Sequence, residues 1–443
     1  MKKTLVALCV AAGMVGTASA ADVQLYGLIN TGLGYVHTHS DVAGVANTDT
    51  LSMDNGQEFG SRWGLRGGEN LGNGYKVSFV LESGFESDTG LSDTKQNGRL
   101  FGREASISVS GGFGTLSFGR LPIFGSVLGA NGLFRAIDPL FANYTSAFGS
   151  GAATASMWTR TDNSISYRTP TYAGLTGYAM YSFKMNTATD TGTEGKSSSD
   201  RYASLAARYQ NGGLEGILVA DTTMYGSYRT GTDIPDQGYT VTLGGNYGFN
   251  NGFKIIAFGQ YFHDQELTAR ARAGVGFAGL NAITGGKGYG YVDGWGIGVG
   301  AHYPVLGGTA KVAVNYRDMD NQNNTDFNRW TAAVGYDYPL SKRTSLYAMA
   351  GYSSEKVKTP TGSATPNIFG IEGPVISASM IPTLFPALCA YAANSEVVKD
   401  FPTPPLPLTT AITFLIDDFL CGSFKKLSFF CLSEQLLPQD EQS

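Results

Sequence analysis

The sequence predicts an all-β protein, a 16-stranded antiparallel transmembrane β-barrel, and three observations support this fold class. Apolar and polar residues alternate with a period of two along many segments of about 9–11 residues. Short turns rich in Gly and Asn recur about every 40 residues and alternate with long polar stretches. Only 15% of the 443 residues are charged, below the roughly 25% typical of soluble domains, whereas 60 are glycine, 24 tyrosine and 25 phenylalanine. This composition suits many strands, tight turns and aromatic residues at membrane interfaces.

The N-terminus has the pattern of a secretory signal peptide. It begins Met1-Lys2-Lys3, continues with an apolar run from Leu5 to about Val15 and ends Ala18-Ser19-Ala20, a small-x-small cleavage pattern. The apolar run falls short of the roughly 20 residues that a membrane-spanning helix needs, so a membrane anchor is the weaker alternative. We therefore expect residues 1–20 to be removed, a mature chain that starts at Ala21, and export through the periplasm.

Alternation predicts strands from residue 22 onward. In the first strand, Val23, Leu25 and Ile29 share one face. The clearest hairpin runs from Phe59 to Phe85, because Asn and Gly residues between its two alternating halves tolerate the positive φ of a tight turn. A polar loop is expected at about 39–57. The fifteen predicted strands lie at about 22–36, 59–68, 74–84, 99–110, 114–120, 161–169, 174–184, 201–210, 214–223, 238–249, 253–263, 293–303, 309–318, 328–338 and 344–354. Bacterial single-chain barrels have an even number of strands, so a closing strand must come from later residues.

A period of about 40 residues is also typical of a β-propeller, which is the alternative all-β architecture. A propeller blade needs four short strands and a recurring blade motif. Here each period holds two longer strands, one short turn and one long loop. That asymmetry favours an up-and-down barrel with short periplasmic turns and long outer loops, which spans a membrane because closure satisfies every backbone hydrogen bond.

The segment that follows Gly119-Arg120 differs from the other long connections. It runs for about 40 residues before alternation resumes at Asp162, and it is less polar and carries few charges. Loops of this length are usually functional or disordered, and this composition favours packing against another surface. We therefore expect this loop to fold back into the barrel lumen.

Strand parity assigns a set of charged residues to the water-filled lumen. The set consists of Arg62, Arg66, Lys76, Glu82, Arg160, Asp162 and Arg168. The hypothesis is a basic wall that faces the inserted loop, whose one acidic residue is Asp138, so that a transverse field sorts small ions and favours anions. The alternative is that these charges are simply hydrated lumen residues. Arg103 and Arg120 fall on the apolar parity, which requires either a bulge that re-aims them or a position at the rim.

Three stretches of the sequence together resemble a known family. They are GSRWGLRGGENLGNGYKVSFVLESGF, GRLFGREASISVSGGFGTLSFGR and DNSISYRTPTYAGLTGYAMYS. They are similar to the general diffusion porins of Gram-negative bacteria, most closely the β-proteobacterial and neisserial type, over about residues 21–358. The resemblance implies a sixteen-stranded homotrimer in the outer membrane lipid bilayer, which the barrel-assembly machinery inserts and which passes small hydrophilic solutes and ions. It also implies that the third outer loop, here about Leu121 to Thr159, narrows the pore.

The C-terminal part departs from this family pattern. Family members end in a short strand with a terminal aromatic residue, whereas this chain ends Gln442-Ser443. Residues 359–443 carry ten of the 16 prolines, three of the 4 cysteines and only four of the 60 glycines. We therefore expect a porin barrel at 21–358 and an aberrant tail at 359–443 in place of the last strand. A frameshift or misjoined reading frame is the leading hypothesis, and an appended domain is the weaker alternative.

Other function classes have little support in the sequence. The formal net charge of -5 argues against a nucleic-acid-binding protein. The four histidines form no metal motif, no cofactor is expected, and the dinucleotide-like pattern from Gly274 to Gly279 lacks a strand-then-helix context. The sequence therefore predicts a non-enzymatic passive diffusion pore in the outer membrane. A substrate-specific channel and, with less support, an enzymatic barrel are the alternatives.

Overall fold

The computed structural model describes residues 22–92, 98–129, 131–140, 148–155, 160–231, 233–267, 283–284, 288–365 and 367–380. The chain divides into two units, Met1–Leu384 and Phe385–Ser443, and every described residue belongs to the first. The predicted signal peptide and the pattern from Gly274 to Gly279 lie outside the described residues. Within these ranges, no helix is both long and apolar enough to cross a membrane.

The described residues form one continuous sheet of eighteen strands. In chain order the strands are β1 (Asp22–His39), β2 (Thr48–Asn55), β3 (Arg62–Gly72), β4 (Tyr75–Gly84), β5 (Glu104–Gly111), β6 (Gly114–Pro122), β7 (Arg160–Arg168), β8 (Leu175–Ser182), β9 (Arg201–Asn211), β10 (Leu214–Met224), β11 (Gln237–Gly248), β12 (Lys254–Glu266), β13 (Tyr291–Val305), β14 (Gly308–Asn321), β15 (Thr325–Pro339), β16 (Thr344–Thr359), β17 (Gly362–Ala364) and β18 (Asn367–Met380). Each of the fifteen predicted strands is present, with ends that differ by a few residues. The expected polar loop at 39–57 contains a strand, β2, which pairs with the long outer end of β1.

The eighteen strands occupy sixteen positions around the sheet. Residues 31–38 of β1 pair with β2 and residues 22–28 pair with β3, so β2 and β3 together form one interrupted wall strand. In the same way, β17 and β18 both lie beside β16. Because β18 also pairs with β1, every position has two neighbours and the sheet closes into a barrel. The predicted sixteen-stranded antiparallel architecture is confirmed.

The sheet extends beyond Lys358, where the composition of the chain changes. Strand β16 continues to Thr359, and β18 closes the barrel from Asn367 to Met380. Alternation does not reveal β18 because Pro374 cannot donate a ladder hydrogen bond, and the register shifts around it on both sides. The expectation of an aberrant tail from 359 therefore does not describe residues 367–380. Residues 381–443 lie outside the described part, and the frameshift stays a prediction.

Side chains on the wall strands whose side-chain positions are described alternate between the lipid-facing side and the lumen-facing side. In β11, Val241 and Leu243 are exposed on the outside, whereas Thr242 between them is buried on the inside. The hairpin of β3 and β4 follows the same rule, and Trp63 and Tyr75 are exposed on the outside. This alternation places a polar inner wall behind an apolar outer surface, as a transmembrane barrel requires.

Aromatic side chains form two belts on the outside of the barrel. Near the short turns, Tyr247, Phe249, Phe253 and Tyr303 form a chain of ring contacts whose centroids lie 4.8 to 6.2 Å apart. Towards the long connections, Trp295 and Tyr316 lie 5.5 Å apart, and Trp330 and Tyr352 lie 5.1 Å apart. Such belts mark the two membrane–water interfaces. The aromatic residues that the composition indicated therefore lie where an interface would be.

Candidate pore constriction

The long connection between β6 and β7 packs against the inner wall of the barrel. Its described residues include two short 3-10 turns, Leu133–Ala136 and Ser150–Ala152. Phe124 and Phe134 are fully buried against lumen-facing residues of β8 to β12. Farther along, Phe148 packs among residues of β14, β15 and β16. This segment, named here the constriction loop (residues 121–159), therefore lines the lumen from β8 to β16, as its low polarity indicated.

Side chains of the wall hold the backbone of the constriction loop. Donors from the wall reach carbonyl oxygens of the loop in five pairs: Asn246 to Ala136 (2.8 Å), His302 to Pro139, Lys311 to Leu140 (3.2 Å), Asn315 to Phe148 (3.0 Å) and Arg317 to Thr154 (3.4 Å). In addition, the side-chain oxygen of Gln260 accepts from the Ala155 N–H at 2.6 Å. These wall residues belong to β11, β12, β13 and β14. The loop is therefore fixed at several points along one side of the lumen.

The wall that the loop leaves uncovered, from β1 to β7, carries two charge clusters. In the first, the Glu82 carboxylate accepts from Arg103 Nε at 2.7 Å and from the Tyr26 hydroxyl at 2.9 Å. Arg62 lies 3.9 Å from the same carboxylate. Glu104 also belongs to this cluster, because its charge interacts with those of Glu82 and Arg160. The first cluster therefore combines three arginines, Arg62, Arg103 and Arg160, with two carboxylates, Glu82 and Glu104.

A β-bulge between β6 and β7 builds the second cluster. Gly119 has φ +125, and the register shifts between Gly119 and Leu121, so that Asp162 and Asn163 of β7 lie opposite Arg120. A Cβ at Gly119 would lie 2.1 Å from the Ala105 carbonyl oxygen, so only glycine fits. Arg120 itself keeps its place opposite Ala105 in an unbroken register, and its guanidinium group reaches the extra residue Asp162 near the end of β6. Arg103 precedes the first residue of β5, so strand parity does not apply to it.

Asp162 lies at the centre of the second cluster. One of its carboxylate oxygens accepts from Arg120 Nη1 at 2.5 Å and the other accepts from Arg99 Nη2 at 2.6 Å. Arg99 belongs to the connection between β4 and β5, and Arg120 belongs to the bulge. Two arginines from different segments therefore meet on one carboxylate at the base of the constriction loop.

The predicted lumen residues separate into groups along the pore axis. Arg62, Glu82 and Arg160 belong to the first cluster. Arg66, Lys76 and Arg168 lie near the short turns instead. Arg66 there donates to Gln24 at 2.8 Å and lies over the Tyr26 ring at 5.1 Å. These three residues line the turn-side mouth rather than the level of the constriction loop.

Asp138 has its place inside the constriction loop and does not face the open lumen. It is only 3% exposed. Its carboxylate accepts from the backbone N–H groups of Leu140 at 3.2 Å and Ser150 at 3.5 Å. Asp138 therefore joins two arms of the loop. The carboxylates that meet the wall arginines belong to the wall itself.

Strand parity did not find several residues of this site. Arg99 lies in a long connection, where no periodicity applies, and Glu104 begins β5 just after such a connection. For Arg120, the signal was present in Gly119, since an isolated glycine inside a strand suggests a bulge. The anchors Lys311 and Arg317 share the inner parity of β14, so the same alternation rule could have identified them.

A second buried network lies where the constriction loop ends. Glu355 accepts from Arg329 at 2.9 Å and from the Tyr289 hydroxyl at 2.6 Å, and Arg317 lies 3.4 Å away. All four side chains are buried, and Arg317 also reaches the Thr154 carbonyl oxygen. Burial raises the pKa of the Tyr289 phenol, and the charge of Glu355 raises it further. Tyr289 therefore stays a neutral donor and connects an outer segment to the wall.

One group of described side chains could hold a metal ion. Potential ligand atoms of His263, Asp264 and Asp293 all lie within 4.8 Å of one another. His263 Nδ1 is 2.7 Å from Asp293 and its Nε2 is 3.4 Å from Asp264, which are distances of hydrogen-bonded and ion-paired groups. The His263 ring lies 5.3 Å from that of Tyr239 on the lipid-facing side. The group is therefore separate from the lumen clusters.

Comparisons with known proteins agree with this architecture. A family model described as Gram-negative porin matches residues 4–358. An outer membrane porin protein of Bordetella pertussis is 33% identical over 376 residues, which cover 80% of this chain and 94% of that protein. Outer membrane porin protein 32 of Delftia acidovorans is 29% identical over 367 residues, which cover 82% and 92%. The solved structure of an anion-selective porin from Comamonas acidovorans has a TM-score of 0.57 at 24% identity and covers 82% of this chain and 100% of that one.

Each level of description leads to the same family. The barrel closes with sixteen positions, aromatic belts mark two membrane interfaces, and the third outer loop lies in the lumen. A water-filled passage of this kind carries out passive diffusion in the outer membrane, not catalysis. The chain therefore belongs to the Gram-negative porin family.

Proposed function

We propose that this outer-membrane diffusion pore prefers small anions and that the constriction loop sets its narrowest part. The observation that carries the proposal is the charge balance of the wall from β3 to β7. Five arginines, Arg62, Arg99, Arg103, Arg120 and Arg160, stand there with three carboxylates, Glu82, Glu104 and Asp162. An excess of positive charge beside a narrow aqueous path raises the local concentration of anions.

The position of the constriction loop makes this charge balance effective. The loop covers the inner wall from β8 to β16, so the aqueous path lies between the loop and the arginine clusters. Fixed charges act over about 8 Å at physiological ionic strength. We expect ions that cross the narrowed passage to come within that range of the arginines.

The turn-side mouth extends the basic path. Arg66 and Lys76 are exposed near the turn between β3 and β4, and Arg168 is exposed near the turn that follows β7. Exposed cations at a pore mouth attract anions from solution, although hydration alone also accounts for their polarity. The solved porin of Comamonas acidovorans is described as anion-selective, which is consistent with the proposal.

The functional unit is proposed to be a homotrimer that the barrel-assembly machinery inserts into the lipid bilayer. OmpT of Vibrio cholerae, which has a TM-score of 0.54 to this chain at 15% identity, has been solved in a trimer form. The outer face of β1 exposes Val23, Leu25 and Ile29, which are available for contact with lipid or with another copy. Cross-linking in mild detergent tests the assembly, and a product limited to one copy would contradict it.

Recording in planar bilayers under a salt gradient tests the selectivity. We expect discrete conductance steps and a reversal potential whose sign corresponds to anion permeation. A reversal potential of the cation sign would contradict the anion preference. Block of the current by one solute at low concentration would favour a substrate-specific channel instead.

A further inference from the structure

We infer that Asp162 is a positioning residue for the selectivity of the pore: it holds Arg99 and Arg120 beside the passage and joins three outer segments at the base of the constriction loop. The inference rests on the proposed anion preference, because it explains what keeps two of the five arginines in place. Strand parity places Asp162 in the lumen, and the inference adds that its carboxylate holds these two arginines in place.

Four hydrogen bonds hold the carboxylate of Asp162. Besides Arg120 at 2.5 Å and Arg99 at 2.6 Å, it accepts from the backbone N–H of Thr187 at 2.8 Å and from the Thr187 hydroxyl at 2.7 Å. Arg120 meets Oδ1, and the other three donors meet Oδ2. The residue is only 5% exposed. Its geometry is therefore set by protein groups and not by water.

These donors come from parts of the chain that are distant in sequence. Arg99 belongs to the connection from β4 to β5, Arg120 to the end of β6, and Thr187 to the connection from β8 to β9. Asp162 itself follows the end of the constriction loop, and its neighbour Asn163 adopts φ +47 on the β7 side of the bulge. One side chain therefore links the loop base to two other outer segments.

The two arginines need such a partner because they repel each other. Arg99 and Arg120 lie close enough to interact electrostatically, and Asp162 is the counter-charge shared between them. Charge-assisted hydrogen bonds of this kind are directional as well as strong. Moving the carboxylate should let the guanidinium groups separate, which changes both the field at the passage and the mobility of the loop base.

The test uses single-channel recording of the full-length porin with three variants. D162N removes the charge and keeps the shape, whereas D162E keeps the charge and moves it by one methylene group. The matched control is D326N, which removes a carboxylate from the lipid-facing side, where Asp326 is 53% exposed and lies 3.9 Å from Lys358. Heat-dependent mobility on gels establishes that each variant is folded.

D162E is the decisive variant because a residue that acts through charge alone would tolerate it. We expect D162E to move the reversal potential towards zero, and both Asp162 variants to raise the rate of brief closures about tenfold, the size of effect that loss of a charge-assisted hydrogen bond produces. D326N should match the wild type. A D162E channel with wild-type reversal potential and closure rate would overturn the inference.

The same recordings separate failure of this inference from failure of the proposed function. A wild-type pore without anion preference contradicts the proposed function, whatever the variants do. An anion-preferring wild type with an unchanged D162E contradicts only the role of Asp162. If D162N does not fold, D162E alone decides, because its outcome supports or overturns the inference without reference to D162N.

Discussion

Lys311 of β14 donates from its Nζ to the carbonyl oxygen of Leu140 in the constriction loop, 3.2 Å away. The same ammonium group is paired with Asp337 of β15 and lies 3.8 Å from Glu58. The side chains of Lys311 and Glu58 are only 9% and 6% exposed. One buried lysine therefore connects the loop to the wall and pairs with the carboxylate of Asp337.

We predict that K311M lowers the free energy of unfolding by about 3 kcal/mol, because removing one partner of a buried ion pair leaves the other charges uncompensated. Urea unfolding in lipid vesicles, followed by tryptophan fluorescence, measures the loss. The matched control is K358M, since Lys358 is 67% exposed and lies 3.9 Å from Asp326. This control should cost less than about 1 kcal/mol. Equal losses in the two variants would contradict the anchoring role of Lys311.

A second prediction concerns the bulge at Gly119, where Asp162 and Asn163 of β7 lie opposite Arg120. G119A should reduce the folded fraction strongly, because a Cβ would lie 2.1 Å from the Ala105 carbonyl oxygen and φ is +125. The expected cost exceeds about 2 kcal/mol. Heat-dependent gel mobility after refolding measures the folded fraction. G112A is the control, because a Cβ at Gly112 meets nothing within 4 Å. A G119A protein that refolds as well as G112A would show that the bulge does not need glycine.

The closing strand gives a third prediction. A chain that ends at Met380 should still fold and conduct, whereas a chain that ends at Lys358 should not. The shorter chain lacks β18, so β1 and β16 would expose unpaired backbone groups to lipid. Refolding yield and channel formation measure both chains. Folding of the shorter chain with the same yield would contradict the role of β18.

Separately, peptides from 381–443 found by mass spectrometry in the natural mature protein would contradict the frameshift hypothesis.

Local periodicity explains how much of this fold could be predicted from the sequence. Fifteen wall strands follow from alternation, because one side meets lipid and the other meets water. The strands β2, β17 and β18 were missed for physical reasons. The first has only two exposed apolar residues, Leu51 and Met53, the second has three residues, and the third contains Pro374 at a shift in register. Alternation fails where a strand is too short or too irregular to show a period.

The site could be predicted less completely than the fold. Parity assigned Arg62 and Glu82 to the same side of the wall, and their side chains lie 3.9 Å apart in regular strands. It could not indicate that Asp138 turns inward to its own loop, or that Arg99 reaches Asp162 from a long connection. Those contacts depend on the path of irregular segments, and residue periodicity carries no information about such paths.

Alkaline pH provides a fourth test, through Tyr289. Burial raises the pKa of this phenol above its usual value of 10.0, and Glu355 raises it further. A raised folded-state pKa contributes stability that is present below pH 10 and is lost as the pH rises towards the folded-state value. Urea unfolding between pH 9 and pH 12 should therefore show stability that falls above about pH 10. Y289F should reduce that fall, and an identical slope in Y289F and wild type would contradict the role assigned to this hydroxyl.

The reversal potential in a salt gradient tests the central claim, an anion-preferring passage beside the arginine clusters, most directly. The wild type should give the anion sign, and R62Q combined with R160Q should move the value towards zero, because both charges belong to the first cluster. K358Q, which changes a residue that is 67% exposed on the outer side of β16, should leave it unchanged. A wild-type potential at zero or of the cation sign, or equal shifts in the two variants, would contradict the account.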